Sequence, residues 1–307
     1  MSRYSYEQCL QRSHQVNWRI EEILDGRRFD PAREWLPRAL SGASGLEFLS
    51  ADERRKLTHI EMAAYAHLFS YAEEFVTPTV VQLARDAEDG ERTAFHALTN
   101  FAAEEVKHMT LFREIRDRIE HDLGFPLELL DGQRETTAFV LGKSRGAVLL
   151  LTACIEWFTQ RHYLECFRQD ETLDPFTQEI FKAHWLEECQ HAQLDHLEAL
   201  REFAAMDEFE REQAVDDLID LVAAFDGLLQ TQAVCDVANF EAYLGRALPA
   251  GERERVHEQV LAAKRHTFLV TGVTHPRFLE LLVEVTTPDQ QTRVNGALAQ
   301  MLPALAA

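Results

Sequence analysis

Apolar residues recur three and four positions apart through most of this chain, and the alternation that marks a half-buried strand is nearly absent. Ala, Leu, Glu, Gln and Arg dominate the same stretches, and they favour helix. The chain therefore reads as all-α. Ser50-Ala-Asp-Glu53 has the form of a capping box. Asp174-Pro175 and Thr287-Pro288 each pair a capping side chain with a proline in the first turn, where its missing N–H costs nothing. These signals predict four long helices, over roughly 51–87, 91–122, 136–171 and 175–206. Short links, 86–90 and 169–174, pair them as hairpins, and the longer link at 124–133 suits a crossover between the hairpins. A leading segment, 1–50, carries one helix over about 5–24 and a loop with Pro31, Pro37, Gly42 and Gly45. A trailing segment, 207–307, carries three or four helices broken at Gly245–Gly251 and Thr271–Pro276. No Pro/Gly/Ser-rich linker separates the parts, so a single domain over 1–307 is expected.

Composition removes several function classes. Hydrophobic residues make up 46% and charged residues 27%, a globular balance with a sizeable core. Lys plus Arg at 31 against Asp plus Glu at 52 gives a formal charge of −21, which repels phosphate backbones and anionic lipid. No nucleic acid and no membrane partner is expected, although bound cations would offset part of that charge. The five cysteines, Cys9, Cys154, Cys166, Cys189 and Cys235, are odd in number and form no Cys-x-x-Cys pair, which fits a reducing compartment. The N-terminus lacks the apolar run of a signal peptide, and the apolar stretch 147–155 is too short to span a bilayer. A cytoplasmic location is expected.

Two Glu-x-x-His pairs carry the chemistry: Glu105/His108 in the second long helix and Glu188/His191 in the fourth. Positions i and i+3 share a helix face, so each pair aims a carboxylate and an imidazole at one point. A centre of two metal ions needs further carboxylates from the remaining helices, to neutralise and bridge the ions. The third helix offers Glu156, at the end of the uncharged run 149–155, an expensive place for an unpaired carboxylate. A buried ion pair with Arg145 or Arg161 is the competing explanation.

The first helix offers Glu73 and Glu74, which point about 100° apart, so only one can face the site. Glu74-Phe-Val-Thr77 matches Glu156-Trp-Phe-Thr159, at an offset of 82, close to the 83 that separates the two Glu-x-x-His pairs. A duplicated hairpin is implied, with Glu74 as its expected ligand. Glu73, however, lies on the more apolar stripe of Met62, Ala66, Phe69, Val76 and Val80. His184 precedes Glu188 by four and shares its stripe, so geometry permits a third imidazole. Glu104 and Glu187, one position off that stripe, are solvated or support the ligand imidazoles. His67, His96, His121, His162 and His196 lack ligand spacing and are expected at the surface or behind the ligands.

With these residues in place, the chain resembles the ferritin-like di-iron carboxylate superfamily over about 51–200, a four-helix bundle extended here by N- and C-terminal helices. The run from His184 through Glu188 to His191 looks like that of the p-aminobenzoate N-oxygenase type within it. That resemblance implies a ligand set of Glu74, Glu105, His108, Glu156, His184, Glu188 and His191. It implies two iron ions, with manganese or a mixed Mn/Fe pair also open, and O2 as co-substrate. The expected activity is oxidation of a small organic molecule, an amine by N-oxygenation being one form.

The ligand-bearing faces also carry Leu98, Phe101, Phe112, Thr152, Thr159, Gln160 and Tyr163. Of these Phe101, Thr152, Thr159, Gln160 and Tyr163 are the candidate substrate-pocket residues, because an apolar wall with a few polar positions suits a small aromatic molecule. No flavin or nicotinamide signature is present, since Gly142-Lys-Ser-Arg-Gly146 opens no strand-to-helix turn. A separate electron donor or reductase is expected, and a homodimer is open. Two other functions share the ligands: iron storage or peroxide scavenging, and radical generation of the ribonucleotide-reductase kind, for which Tyr71 or Tyr163 would be the tyrosine.

Overall fold

The structure, a computed structural model, describes residues 4–88 and 90–302. Asp89 in the first predicted link, residues 1–3 and residues 303–307 lie outside the described residues. The helices are α1 (Tyr6–Gln15), α2 (Ile20–Leu24), α3 (Ala51–Ala87), α4 (Arg92–Leu123), α5 (Gln133–Leu141), α6 (Arg145–His162), α7 (Pro175–Ala205), α8 (Glu208–Leu244), α9 (Ala250–Arg265), α10 (Thr271–Val273), α11 (Pro276–Val285) and α12 (Pro288–Met301). Two π-turns, Tyr163–Phe167 and His266–Val270, extend α6 and α9.

The caps act as their sequences predict. Ser50 Oγ accepts the Glu53 amide at 3.2 Å, and the Glu53 carboxylate accepts the Ser50 amide at 2.9 Å. Asp174 accepts the Phe176 amide at 2.8 Å and opens α7 at Pro175. Helices α3 and α4 pack as one hairpin and α6 and α7 as the other, and together they form a four-helix bundle of the ferritin-like kind.

Helix α6 is buried on every side, from Gly146 to Gln160. Its inner face meets the bundle, while α8, α10 and α11 cover its outer face. The crossing with α10 is close: a Cβ at Gly272 would come 3.0 Å from the carbonyl oxygen of Cys154. A chain without the trailing helices would leave the outer face of α6 in water.

Two predicted helices are divided in the structure. The segment expected as one helix over 136–171 breaks at Gly142–Ser144, where Asp217 of α8 accepts the Ser144 amide at 2.9 Å and Asp220 holds Lys143 at 2.8 Å. These contacts come from a helix remote in sequence, so local periodicity does not show them. The leading helix, expected over 5–24, breaks at 16–19 and turns Trp18 against α4, its ring stacked on His108 at 5.9 Å between centroids.

Among the described residues, α8 alone is long and apolar enough by composition to cross a bilayer. It also buries Asp217, Asp226, Gln232 and Asp236, and these bond to Ser144, Arg265, Leu130 and Lys264.

Candidate metal centre

Each bundle helix brings one carboxylate to the interior. Glu73 of α3, Glu105 of α4, Glu156 of α6 and Glu188 of α7 are all at most 5% exposed. His108, His184 and His191 join them, each no more than 1% exposed. Glu188 is central. Its Oε1 lies 2.9 Å from His108 Nδ1 and 2.7 Å from His184 Nε2, and its Oε2 lies 3.2 Å from His191 Nδ1. Glu105 Oε1 lies 2.8 Å from His191 Nδ1 and 3.7 Å from His108 Nδ1. Glu73 Oε1 lies 3.7 Å from His184 Nε2.

Six of the seven donors fall into two overlapping sets, Glu73/His108/His184/Glu188 and Glu105/His108/Glu188/His191, each with its ligand atoms within 4.8 Å of one another, and Glu156 lies outside both. His108 and Glu188 are common to both sets, and of the two only the carboxylate, with one oxygen for each ion, is suited to bridge two ions. The fit to cations rests on atoms left open. One oxygen each of Glu73 and Glu156, both oxygens of Glu105, His108 Nδ1 and both His184 nitrogens are buried without a hydrogen-bond partner. Their short separations arise because they converge on common points. Buried polar atoms in native proteins are otherwise almost always paired.

Electrostatics agrees. Burial, then the charge of Glu105, pushes Glu73 well above the usual carboxylate range, and burial with Glu188 does the same to Glu156. Burial works against the charged form of Glu188 too, but His184 and His191 outweigh it and leave that carboxyl well below its usual value. Burial lowers the pKa of His184, with the charge of Glu188 pulling the other way.

The outer sides of two imidazoles are fixed by a reciprocal exchange. His108 Nε2 bonds Glu187 of α7 at 2.8 Å, and His191 Nε2 bonds Glu104 of α4 at 2.7 Å. Each Glu precedes a Glu-x-x-His pair and serves the histidine of the opposite helix. Such a bond sets which nitrogen faces the centre, here Nδ1 in both rings. Lys107 then neutralises Glu187, and Ser13 of α1 donates to Glu104 at 2.6 Å. His184 has no such anchor and is gripped by ring edges, Phe69 at 5.3 Å and Phe112 at 4.8 Å between centroids.

The structure corrects one expected ligand. Glu74 points away from the bundle axis and pairs with Arg113 at 2.7 Å, while Glu73 takes the inward position. One residue is about 100° of helix, so the two cannot exchange roles. Glu73 also makes the duplication uniform, since Glu156 follows it by 83, the offset of the Glu-x-x-His pairs. Arg145 and Arg161, the competing partners for Glu156, pair instead with Asp86 and Glu202, and with Glu165.

The five expected pocket residues are held by contacts of their own. Phe101 stacks on His191 at 4.0 Å, and Thr152 and Thr159 bond back to the carbonyls of Leu149 and Ile155. Gln160 accepts from the Cys189 thiol at 3.1 Å, and Tyr163 stacks on Trp185 at 4.6 Å. Helical back-bonding satisfies the threonines, so their burial did not require a ligand. The apolar cavities lie across α6, against α8. One is lined by Leu68, Ala72, Phe75, Leu151, Ile155 and Phe225, among others. Tyr71 turns its hydroxyl to Thr136 at 2.7 Å. Asp195, four positions beyond His191, was missed by sequence reasoning although it lies on the ligand stripe. It is 1% exposed, and burial pushes its carboxyl up to about 8.

A family model described as P-aminobenzoate N-oxygenase AurF matches residues 2–267 of the chain. No curated protein matches it. Among solved structures, a variant R2-like ligand-binding oxidase with an aerobically reconstituted Mn/Fe cofactor superposes with a TM-score of 0.46 at 15% identity, covering 86% of this chain and 93% of that one. Another variant of that oxidase, with a non-activated Mn/Mn cofactor, gives 0.45 at 16% identity with coverage of 86% and 93%.

Proposed function

Since this chain belongs to the p-aminobenzoate N-oxygenase AurF family of oxygen-dependent oxidoreductases, we propose that it uses two iron ions and O2 to oxidise a small organic amine at nitrogen. The observation that carries this reading is the place of His184, whose Nε2 is 2.7 Å from the shared Glu188 and inside one donor set with Glu73. Four carboxylates and three imidazoles suit a redox-active pair better than zinc or magnesium, and a manganese or mixed Mn/Fe pair fits the same donors. When bound, such a pair supplies the electrons that reduce O2.

The chain's own groups do the rest. Glu104 and Glu187 hold His191 and His108 with Nδ1 inward. Phe69, Phe101 and Phe112 pack against His184 and His191 and keep water from that side. An imidazole that ligates a metal does so in its neutral form, so His184 would add donation without charge, and its loss would open a position and leave the carboxylates in place.

We assign the substrate to the apolar cavity between α3, α6 and α8. Ala72 and Ile155 in its wall are the chain neighbours of Glu73 and Glu156, and at about 30 Å³ the cavity must widen to take an aromatic ring. The chain would need a separate electron donor, and its five free cysteines fit a cytoplasmic setting. A homodimer is compatible with this reading.

The test uses iron(II)-loaded protein, O2 and p-aminobenzoate as probe, with mass spectrometry of the products. An N-oxygenated product that needs O2 is expected, and His184→Ala should lose it while retaining both metals. Iron uptake without oxidation of any amine in a panel would overturn N-oxygenation and leave the metal site standing.

A further inference from the structure

A second buried pair of polar rings lies outside the donor set. Tyr65 of α3 and His162 at the end of α6 are 2% and 1% exposed, and the Tyr65 hydroxyl lies 2.7 Å from His162 Nδ1. On the far side of the ring, Nε2 lies 3.0 Å from the carbonyl oxygen of Thr267. A carbonyl can only accept, so Nε2 carries the hydrogen and Nδ1 is a bare lone pair. The Tyr65 hydroxyl therefore donates to His162. Burial keeps this imidazole neutral, with its pKa brought down to about 3.

Both π-turns among the described residues meet at this ring. Tyr163–Phe167 begins at the residue after His162, and His266–Val270 supplies the Thr267 carbonyl. Such turns give up regular helix geometry and occur frequently at functional sites. Tyr65 also stands two turns before Glu73, with one ring in between. The centroids of Tyr65 and Phe69 are 4.9 Å apart, and those of Phe69 and His184 are 5.3 Å apart. A second route runs through Phe181, at 5.4 Å and 6.4 Å. A phenol with its own base is thus one packed aromatic ring from a donor of the centre.

We propose that Tyr65 is a redox-active tyrosine that passes one electron to the O2-oxidised metal centre when no substrate is bound, with His162 as its proton acceptor. The proposal rests on the metal-centre reading above. In the step, the electron crosses the Phe69 contact and the centre is reduced by one electron. The phenol O–H bond breaks, and its proton forms an N–H bond at Nδ1. The products are a neutral phenoxyl radical and an imidazolium, whose positive charge is solvated by the Thr267 carbonyl and the Thr271 hydroxyl, 2.9 Å from Nε2. The external one-electron donor that reduces the metals returns the electron, and His162 returns the proton. Without that base, the positive charge would stay on a ring packed among Phe69, Phe167, Phe181 and Phe268, where burying it is costly. The effect is to discharge an oxidised centre before it attacks its own ligands.

The test mixes iron(II)-loaded protein with O2 in the absence of substrate, freezes it at intervals and records the EPR spectrum, with iron content and the optical change measured alongside. An organic radical is expected, with a line that narrows when the protein carries ring-deuterated tyrosine. The radical should be lost in Tyr65→Phe and in His162→Gln, and kept in Tyr71→Phe and Tyr163→Phe. Fluorotyrosine placed at position 65 preserves the packing and should alter the hyperfine pattern. A radical that survives Tyr65→Phe overturns the proposal, as does the absence of any radical in protein that binds iron and reacts with O2. Protein that takes up no iron overturns the metal-centre reading as well, and the iron analysis tells these failures apart.

Discussion

Four carboxylates meet inside the bundle at Glu73, Glu105, Glu156 and Glu188, and among the described residues no lysine or arginine pairs with them. Between α3, α8 and α9 a second group of buried charge, Glu61 and Asp236, has Lys264 set against it, 2.6 Å from Asp236. The second group carries its own cation, although Asp236 Oδ2 meets Lys264 as an ion pair and lacks a hydrogen-bond partner. Glu61 accepts the Gly42 amide at 2.9 Å and the Ser41 hydroxyl, and Asp236 accepts from Gln232 at 2.7 Å. Burial still pushes Glu61 up to about 7, with Lys264 pulling the other way. In the bundle centre the open oxygens and nitrogens have no such partners. The comparison separates two uses of buried charge: one cluster holds its own cation, Lys264, and the other needs cations from outside.

The largest effect should come from the cluster that needs cations. Glu105→Ala or His191→Ala removes a donor and leaves carboxylates facing one another, so iron content should fall severely and metal-dependent thermal stabilisation should vanish. Metal analysis and melting with and without chelator measure this. Full occupancy in both variants would erase the distinction between the clusters.

In the cluster with its own cation, Lys264→Met strands Asp236 and should destabilise by about 3–5 kcal/mol, read by urea unfolding. Iron content should not change, because no metal is involved there. A weaker effect is expected one shell out from the ions. Glu187→Gln keeps a hydrogen bond to His108 but removes the charge, and metal affinity should drop roughly ten- to hundredfold in a competition titration. The smallest change sharpens the choice on α3. Glu74→Gln removes a partly exposed pair with Arg113, so about 0–1 kcal/mol of stability and none of the iron should be lost. Glu73→Gln, one position earlier, should lower iron content.

Both Glu-x-x-His pairs, Glu156 and His184 were legible because helix periodicity alone brings i, i+3, i+4 and i+7 to one face. The ligand from α3 was ambiguous for a definite reason. The pattern shared by Glu74-Phe-Val-Thr77 and Glu156-Trp-Phe-Thr159 is local and slips by one, whereas the constant offset of 83 and the apolar stripe both select Glu73. The roles of Glu104 and Glu187 were half legible: their adjacency to the ligands could be read, but the exchange across helices is a property of packing. The break at Gly142–Ser144 depends on Asp217 and Asp220 of α8, and the Tyr65–His162 pair joins residues far apart in sequence with no periodic relation. Contacts of that kind appear only once the outer helices are placed.

The central claim is that Glu73, Glu105, His108, Glu156, His184, Glu188 and His191 hold two metal ions. Crystals of iron-loaded protein, with anomalous diffraction recorded at the iron edge, test it directly. The account predicts two adjacent peaks with Glu188 between them and a His184 nitrogen at about 2.0–2.2 Å from one. A single peak, no peak at these residues, or a His184 ring farther than about 3 Å from both ions would contradict it.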